Sequence, residues 1–323
     1  MAALAQQSTV SSRVISDRLS TAFSMQPVQL NVPASKLTDS EQGDETELRL
    51  TTQLPIAQDN NAWVKFTKNW GDLRGGASYH GSAISGGYDR AFGKNFRGGV
   101  FVSYNAVSLG ADNSGGNTYD TRVGLYGGYH KDARDAYVYL DYGIVRNKLR
   151  RRIPALGLNA NADYNSHIIE LGGEYKYDLQ SKSGRVWHVS PYVGFQLSHM
   201  QQSAYQEKGA GIFNQRVDGK DNTYFAGTCG VEFKRYLSKG NYGIRLGVRH
   251  AFAGANPEFN FRYEGYDGGR YALRNNQDKT HFELALSGEA EFAPDWLLAG
   301  DAGLLCGSHD KDISCALTLR RVW

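Results

Sequence analysis

From Ala62 onward, apolar and polar residues alternate with a period of two. Ala62, Val64 and Phe66 interleave with Lys65, Thr67 and Asn69; Val138, Leu140, Tyr142 and Ile144 with Tyr137, Tyr139, Asp141 and Gly143. The same dyad recurs at Ile169, Leu171 and Tyr175 against Glu170, Gly172 and Glu174, and at Ile244, Leu246 and Val248 against Arg245, Gly247 and Arg249. Such alternation predicts strands with one apolar and one polar face. Twelve segments carry it: 61–73, 79–92, 96–109, 118–130, 135–148, 163–177, 186–201, 221–236, 242–263, 278–292, 295–306 and 312–323. Pro257 interrupts the far half of the ninth.

The connections alternate in length. Gaps 110–117, 149–162, 202–220 and 264–277 are long, whereas Gly93–Asn95, Lys131–Arg134, Leu237–Asn241 and Ala293–Asp295 are short. Long loops at one end and tight turns at the other are the pattern of an outer-membrane barrel, and a soluble sandwich gives no reason for it. Many segments exceed the about 9–11 residues a tilted membrane strand needs, so they are expected to project beyond the bilayer.

Ahead of the strands, Ser8–Phe23 shows helical spacing. Arg13 and Asp17 stand four apart and can pair, Val10 and Val14 share one face, Ile15, Leu19 and Phe23 share another, and Pro27 discourages continuation. At about 1.5 Å per residue this helix spans roughly 24 Å. Residues 26–60 read as a polar linker. The chain therefore divides into 1–60, a helix and linker, and 61–323, the barrel.

Composition alone points elsewhere, with a mean hydropathy of −0.50 and a net charge of +3. No apolar run approaches the about 18 residues of a helical span, so helical membrane proteins are excluded. A barrel changes the reading: apolar faces meet lipid, polar faces line a lumen, and the average of the two is hydrophilic. The polar face then presents Arg122, Asp141, Glu170, Glu174, Arg245, Arg249, Glu283, Glu289 and Asp301 to the lumen. Trp63, Trp70, Tyr79, Tyr119, Trp187, Tyr224, Trp296 and Trp323 lie near strand ends, where interfacial aromatic girdles are expected. The start, Met1-Ala2-Ala3-Leu4-Ala5-Gln6, lacks a basic segment followed by an apolar core, so it is not a signal peptide; an internal piece of a longer chain is expected.

Catalytic and metal motifs are missing from the sequence: it has no His-Glu-x-x-His, no Cys/His metal spacing, no Gly-x-Ser-x-Gly and no phosphate loop. No cofactor or metal is expected. Asp218-Gly219-Lys220-Asp221-Asn222 offers too few fixed ligands for calcium. If the last hairpin turns about Asp310-Lys311, Cys306 faces Cys315 within reach of a disulfide; the alternative is two small apolar residues facing lipid. Arg146, Lys148, Arg150, Arg151 and Arg152 form a basic cluster at a loop mouth, where lipopolysaccharide phosphates are the candidate contact, a solvated loop is the simpler reading and nucleic acid is not expected.

The helix with Arg18, then Asn61-Ala62-Trp63-Val64, twelve strands and a terminal aromatic together resemble the C-terminal translocator domain of classical monomeric autotransporters. Ile84–Asp89, Tyr137–Asp141, Ile169–Tyr175 and Pro191–Leu197 look like that family's second, fifth, sixth and seventh strands. The last strand, ending Leu317, Leu319, Trp323, is similar to the signal read by the barrel-assembly machinery, although Arg321 and the lack of Gly depart from it. The family's Arg in the eighth strand has no clear counterpart in Tyr224–Phe233.

The resemblance implies an all-β, twelve-stranded antiparallel barrel in the bacterial outer membrane with the N-terminal helix in its pore. It implies a monomer that carries an N-terminal passenger to the cell surface. Arg13, Asp17 and Arg18 are then expected to pair with the charged walls and plug the pore. Some members cut their passenger inside the barrel, for which Glu170 and Glu174 on one face are the candidate acids; pore-wall pairing is the simpler reading. Two rivals differ in kind. An omptin-like surface protease needs Asp and His clustered above a barrel of about ten strands, and a porin-like channel gives no reason for the helix.

Overall fold

In the computed structural model, residues 27–32, 48–53, 60–179, 186–237, 239–266, 268–274 and 277–323 are described. The helix expected over Ser8–Phe23, with Arg13, Asp17 and Arg18, lies outside these residues. Within the expected linker, β1 (Pro27–Val32) and β2 (Leu48–Gln53) form an antiparallel pair.

The twelve alternating segments close into one barrel. Its strands are β3 (Asn60–Leu73), β4 (Ala77–Phe92), β5 (Phe96–Ala111), β6 (Ser114–Lys131), β7 (Arg134–Ile153) and β8 (Leu158–Tyr177), then β9 (Trp187–Gln202), β12 (Lys220–Leu237), β13 (Gly240–Ala253), β16 (Thr280–Ala293), β17 (Trp296–Cys306) and β18 (Lys311–Val322). Every neighbouring pair is antiparallel. Closure falls between β18 and β3, where Val322 faces Asn61, and backbone bonds run both ways between Asn60 and Trp323 at 3.0 and 3.2 Å. No sheet edge remains in the barrel, so each strand's backbone is satisfied by its neighbours, as a lipid setting demands.

The two faces separate as the alternation predicts. Val64, Phe66, Val100, Val102, Val123, Leu125, Val138, Leu140, Leu284 and Leu286 are exposed on the outside. Inside, Lys65, Asp120, Arg122, Asp141 and Glu170 are buried. That inversion, with large apolar groups exposed and charges buried, is stable only if the exterior faces lipid.

Several details differ from the sequence-based expectation. The ninth segment ends at Ala253. Gly254 takes a left-handed φ of 73° and Pro257 has no amide hydrogen, so the ladder cannot continue; β14 (Glu258–Tyr263) belongs to another sheet. That sheet, β10-β11-β14-β15, is built from the long connections, with β10 (Tyr205–Gln206), β11 (Gln215–Val217) and β15 (Tyr271–Arg274). The expected loops 110–117 and 149–162 are mostly strand: β5 and β6 meet across Asp112-Asn113, and β7 and β8 across a Pro154–Leu156 turn ended by Gly157 at φ 65°.

Three aromatics assigned to the girdles turn inward instead. Trp63 and Tyr79 are 3% and 5% exposed on the lumen face, and Tyr224 meets Arg249 there. Trp70, Trp187 and Trp323 do face outward, and Arg321 packs over the rings of Trp296 and Trp323. The cysteines do not pair. The β17–β18 register sets Cys306 against Lys311 and Cys315 against Ala302, so the turn centres near Ser308-His309 and both thiols are free.

Candidate functional site

The lumen is layered, and register builds each layer. Large rings stand opposite glycines on the next strand: Trp63 opposite Gly87, Phe101 opposite Gly124, Tyr126 opposite Gly99 and Tyr139 opposite Gly172. A Cβ added to Gly124 would lie 2.4 Å from the Phe101 ring, and one on Gly172 would lie 2.4 Å from the Tyr139 ring. Glycine is therefore what lets these rings lie along the wall. Trp63, Phe101, Tyr126 and Tyr139 form one buried cluster. The Trp63 indole N–H donates to the Tyr126 hydroxyl at 2.8 Å, and Tyr126 donates to Asp89, which also accepts from Asn61 and Arg97.

Toward the long-loop end lies the acidic layer. Arg122 on β6 donates through Nε to Asp120 at 2.8 Å and through Nη1 to Asp141 at 3.2 Å and Glu170 at 3.4 Å. Glu170 also accepts from Tyr139 at 2.9 Å and Ser198 at 3.0 Å. Three carboxylates thus share one guanidinium. Among the described residues, Asp120 Oδ1, Asp141 Oδ2, Arg122 Nη2 and both amide atoms of neighbouring Asn105 are buried without a hydrogen-bond partner. Above this layer Val145, Ile168 and Met200 make a small apolar patch.

The rest of the lumen is different. Glu174 receives a two-pronged Arg245 guanidinium, which lies 3.6 Å from the Tyr192 ring centre. Lys65 meets Asp301 at 3.4 Å, Lys176 meets Glu232 at 2.9 Å, Arg320 pairs with Glu289, and Arg249 donates to Gln196. Between these charges, Ala285, Ser287, Gly303, Ser314 and Ala316 line a cavity together with Glu283 and Asp301. Small side chains on β16, β17 and β18 leave there the space that aromatic rings fill across the lumen.

All nine sequence-derived lumen residues sit inside the barrel, but in separate groups: Arg122, Asp141 and Glu170 together; Glu174 with Arg245; Glu289 with Arg320; Arg249, Glu283 and Asp301 along the cavities. Glu170 and Glu174 are not a coupled acid pair, since each is claimed by a different arginine. Leu317 and Leu319 are exposed outward with Trp323 on the last strand.

The sequence reading missed Asp120 and the rim cluster. At the rim, the ligand atoms of Asp278, His281 and Asp310 lie within 4.8 Å of one another. Their carboxylates are already used: Asp278 accepts from the Asp310 amide at 3.0 Å, and Asp310 accepts from the Asp278 and Arg74 amides at 2.8 Å each. The cluster closes three loops on one another. Burial pushes the Asp278 carboxyl up, but the His309 and Asp310 amides and the His309 ring outweigh it and hold it below the usual carboxylate range.

A closed, lipid-faced barrel of twelve antiparallel strands with ion pairs in its lumen is an outer-membrane β-barrel protein. The model of the autotransporter beta-domain family matches residues 62–303, and the chain belongs to that family. Among solved structures, the translocator domain of autotransporter NalP from Neisseria meningitidis superposes with a TM-score of 0.70 at 14% identity, covering 82% of this chain and 89% of that one. The beta domain of the Bordetella autotransporter BrkA gives 0.64 at 17% identity, covering 82% of this chain and all of that one. An extracellular serine protease of Serratia marcescens is 27% identical over 215 residues, which is 60% of this chain and 19% of that protein. Esterase EstA of Pseudomonas aeruginosa is 22% identical over 186 residues, 56% of this chain and 28% of that protein. The chain thus spans less than a third of the curated relatives it matches. It is an outer-membrane β-barrel of the autotransporter beta-domain family.

Proposed function

We propose that the lumen receives the segment N-terminal to the barrel, and that after export the Ser8–Phe23 helix plugs the pore. The observation that supports this reading is the acidic layer, where Asp120, Asp141 and Glu170 share Arg122 and, among the described residues, Asp120 Oδ1 and Asp141 Oδ2 are buried without a hydrogen-bond partner. Buried charge without full compensation is costly. Arg13 and Arg18 supply the missing cations, and Asp17 can answer Arg245 or Arg249 across the lumen. The groove of Ala285, Ser287, Gly303, Ser314 and Ala316 offers room for the helix backbone to approach. A helix of roughly 24 Å suits an apolar band about 25 Å tall.

The chain on this reading is a monomer without cofactor, and not an enzyme. Its partners are its own passenger, outer-membrane lipid and lipopolysaccharide, and the barrel-assembly machinery that reads Leu317, Leu319 and Trp323. Planar-bilayer conductance tests the plug. A chain lacking residues 1–25 should conduct several-fold more than residues 1–323; equal conductance contradicts the plug.

A further inference from the structure

The basic residues that the sequence groups at a loop mouth are not at a mouth. β7 carries them in extended conformation, and the strand's alternation sorts them. Arg151 points inward and clamps Glu207 and the Phe213 carbonyl. Arg146, Lys148, Arg150 and Arg152 all point outward and are exposed. They form a single file on the outer wall.

The file begins where the lipid band ends. On the same outward face below it, Ala136, Val138, Leu140, Tyr142 and Ile144 form an uninterrupted apolar run. Eight residue steps at about 3.4 Å, tilted by about 40°, rise roughly 21 Å, close to the about 25 Å height of an apolar band. Tyr119, opposite Arg146, and Tyr142, bonded to His167 at 2.7 Å, mark the interface. The four cations then rise about 5 Å apiece, through the head-group layer and into the zone above it.

Their neighbours are suited to a phosphorylated sugar. Asn117 flanks Lys148 on one side, and Asn165, Asn161 and Asn159 flank Arg146, Arg150 and Arg152 on the other. Asp163 opposite Lys148 is the one carboxylate in register with the file, and among the described residues the two make no ion pair. Arg150 reaches Asn159 at 3.5 Å. Guanidinium groups bind phosphate oxygens in a two-pronged fashion, and amides serve sugar hydroxyls. A solvated strand needs no such file at the lipid boundary, whereas an outer leaflet of phosphorylated glycolipid presents its anions at that height.

We propose that the outer face of β7 is a binding site for the phosphate groups of outer-leaflet lipopolysaccharide, with Arg146 and Lys148 at the lipid A phosphates and Arg150 and Arg152 at phosphates of the adjoining sugars. The site rests on the reading of the chain as an outer-membrane barrel but does not depend on the pore plug.

The test titrates the refolded full chain in detergent with fluorescent bisphosphorylated lipid A, dephosphorylated lipid A and phosphatidylglycerol. The variant R146Q/K148Q/R150Q/R152Q is compared with K94Q/K131Q/R134Q/K239Q, four exposed cations at the opposite rim. Folding of each is checked by heat-modifiable gel mobility. The expected result is at least a tenfold preference of the native chain for bisphosphorylated lipid A over both other lipids. The β7 variant should lose at least tenfold, the rim variant should bind as the native chain does, and equimolar inorganic phosphate should not compete. Native-like binding by the β7 variant, equal loss in the rim variant, indifference to the lipid phosphates or displacement by equimolar phosphate each overturns the proposal. Should the fourfold variant fail to fold, K148Q/R150Q replaces it, with at least a threefold loss expected and no loss contradicting. Surface delivery of an upstream epitope is read in parallel, so a barrel that exports normally yet binds no lipid A overturns this site alone.

Discussion

Arg122 sets the charge balance of the acidic layer, because Asp120, Asp141 and Glu170 all bond to its guanidinium. Replacing it by Met keeps most of the volume but removes the guanidinium that three buried acids share. The expected cost is about 3–5 kcal/mol, the range for breaking a buried charge network, read as the midpoint of urea unfolding in detergent. Adding Glu170→Gln should recover part of the loss; a single variant of native stability contradicts the account. The ring-on-glycine contacts make a second prediction. In Gly172→Val the new side chain meets the Tyr139 ring, so stability should fall by about 1–3 kcal/mol. The same substitution at Gly110, with nothing near its Cβ position, should be nearly silent. Both faces were legible at this scale, since Lys65, Arg122 and Glu170 carry the parity of the lumen. Trp63 shares that parity with Lys65, and Tyr224 with Glu232, so their inward aim was also written in the chain. Position near a strand end obscured it, and the partner glycine of each ring appears only with register.

Among the elements, the long connections act as structure rather than loose loop. The sheet β10-β11-β14-β15 joins the projecting β7–β8 hairpin through an Asn161–Lys208 bridge and the Arg151–Glu207 pair. Arg151→Gln should therefore speed protease cutting between residues 203 and 219 several-fold while the barrel keeps its heat-modifiable mobility. An unchanged cutting rate would show that the pair is idle. The rim clamp adds a pH dependence. The folded Asp278 carboxyl sits below its usual value, so its contribution is fully present above the unfolded value of about 3.9 and is lost as pH falls through the lower folded value. Protection of residues 254–279 from an acid-stable protease should accordingly hold at pH 5 and fail first in strong acid, and Asp278→Asn should remove that dependence. These sheets were not legible in advance. Two- to six-residue strands carry too few alternations to announce a period, and Pro257 and Gly254 separate β14 from a segment whose pattern runs straight through them. The Cys306 and Cys315 register failed for a related reason: the Ser308-His309 turn is held by Asp278, a residue about thirty positions away.

For the whole molecule, closure decides everything else. The Asn60–Trp323 backbone bonds join the first and last barrel strands, and Trp323 ends the outward row of Leu317 and Leu319. Deleting Trp323 should lower the yield of folded barrel in cells several-fold while leaving refolding in detergent much less affected, a difference that separates an assembly signal from a packing role. The architecture was legible because twelve period-two segments and alternating loop lengths agree with one another and with a lipid exterior. The helix over Ser8–Phe23 rests on sequence spacing and on the acidic lumen that would receive it. The central claim, that the chain exports what is joined ahead of it, is tested most directly at the cell surface. An epitope placed before Met1 behind a signal peptide, in a Gram-negative host, should be removed by protease added to intact cells while a periplasmic marker survives. An epitope that stays protected until the outer membrane is broken, with the barrel folded, would contradict the account.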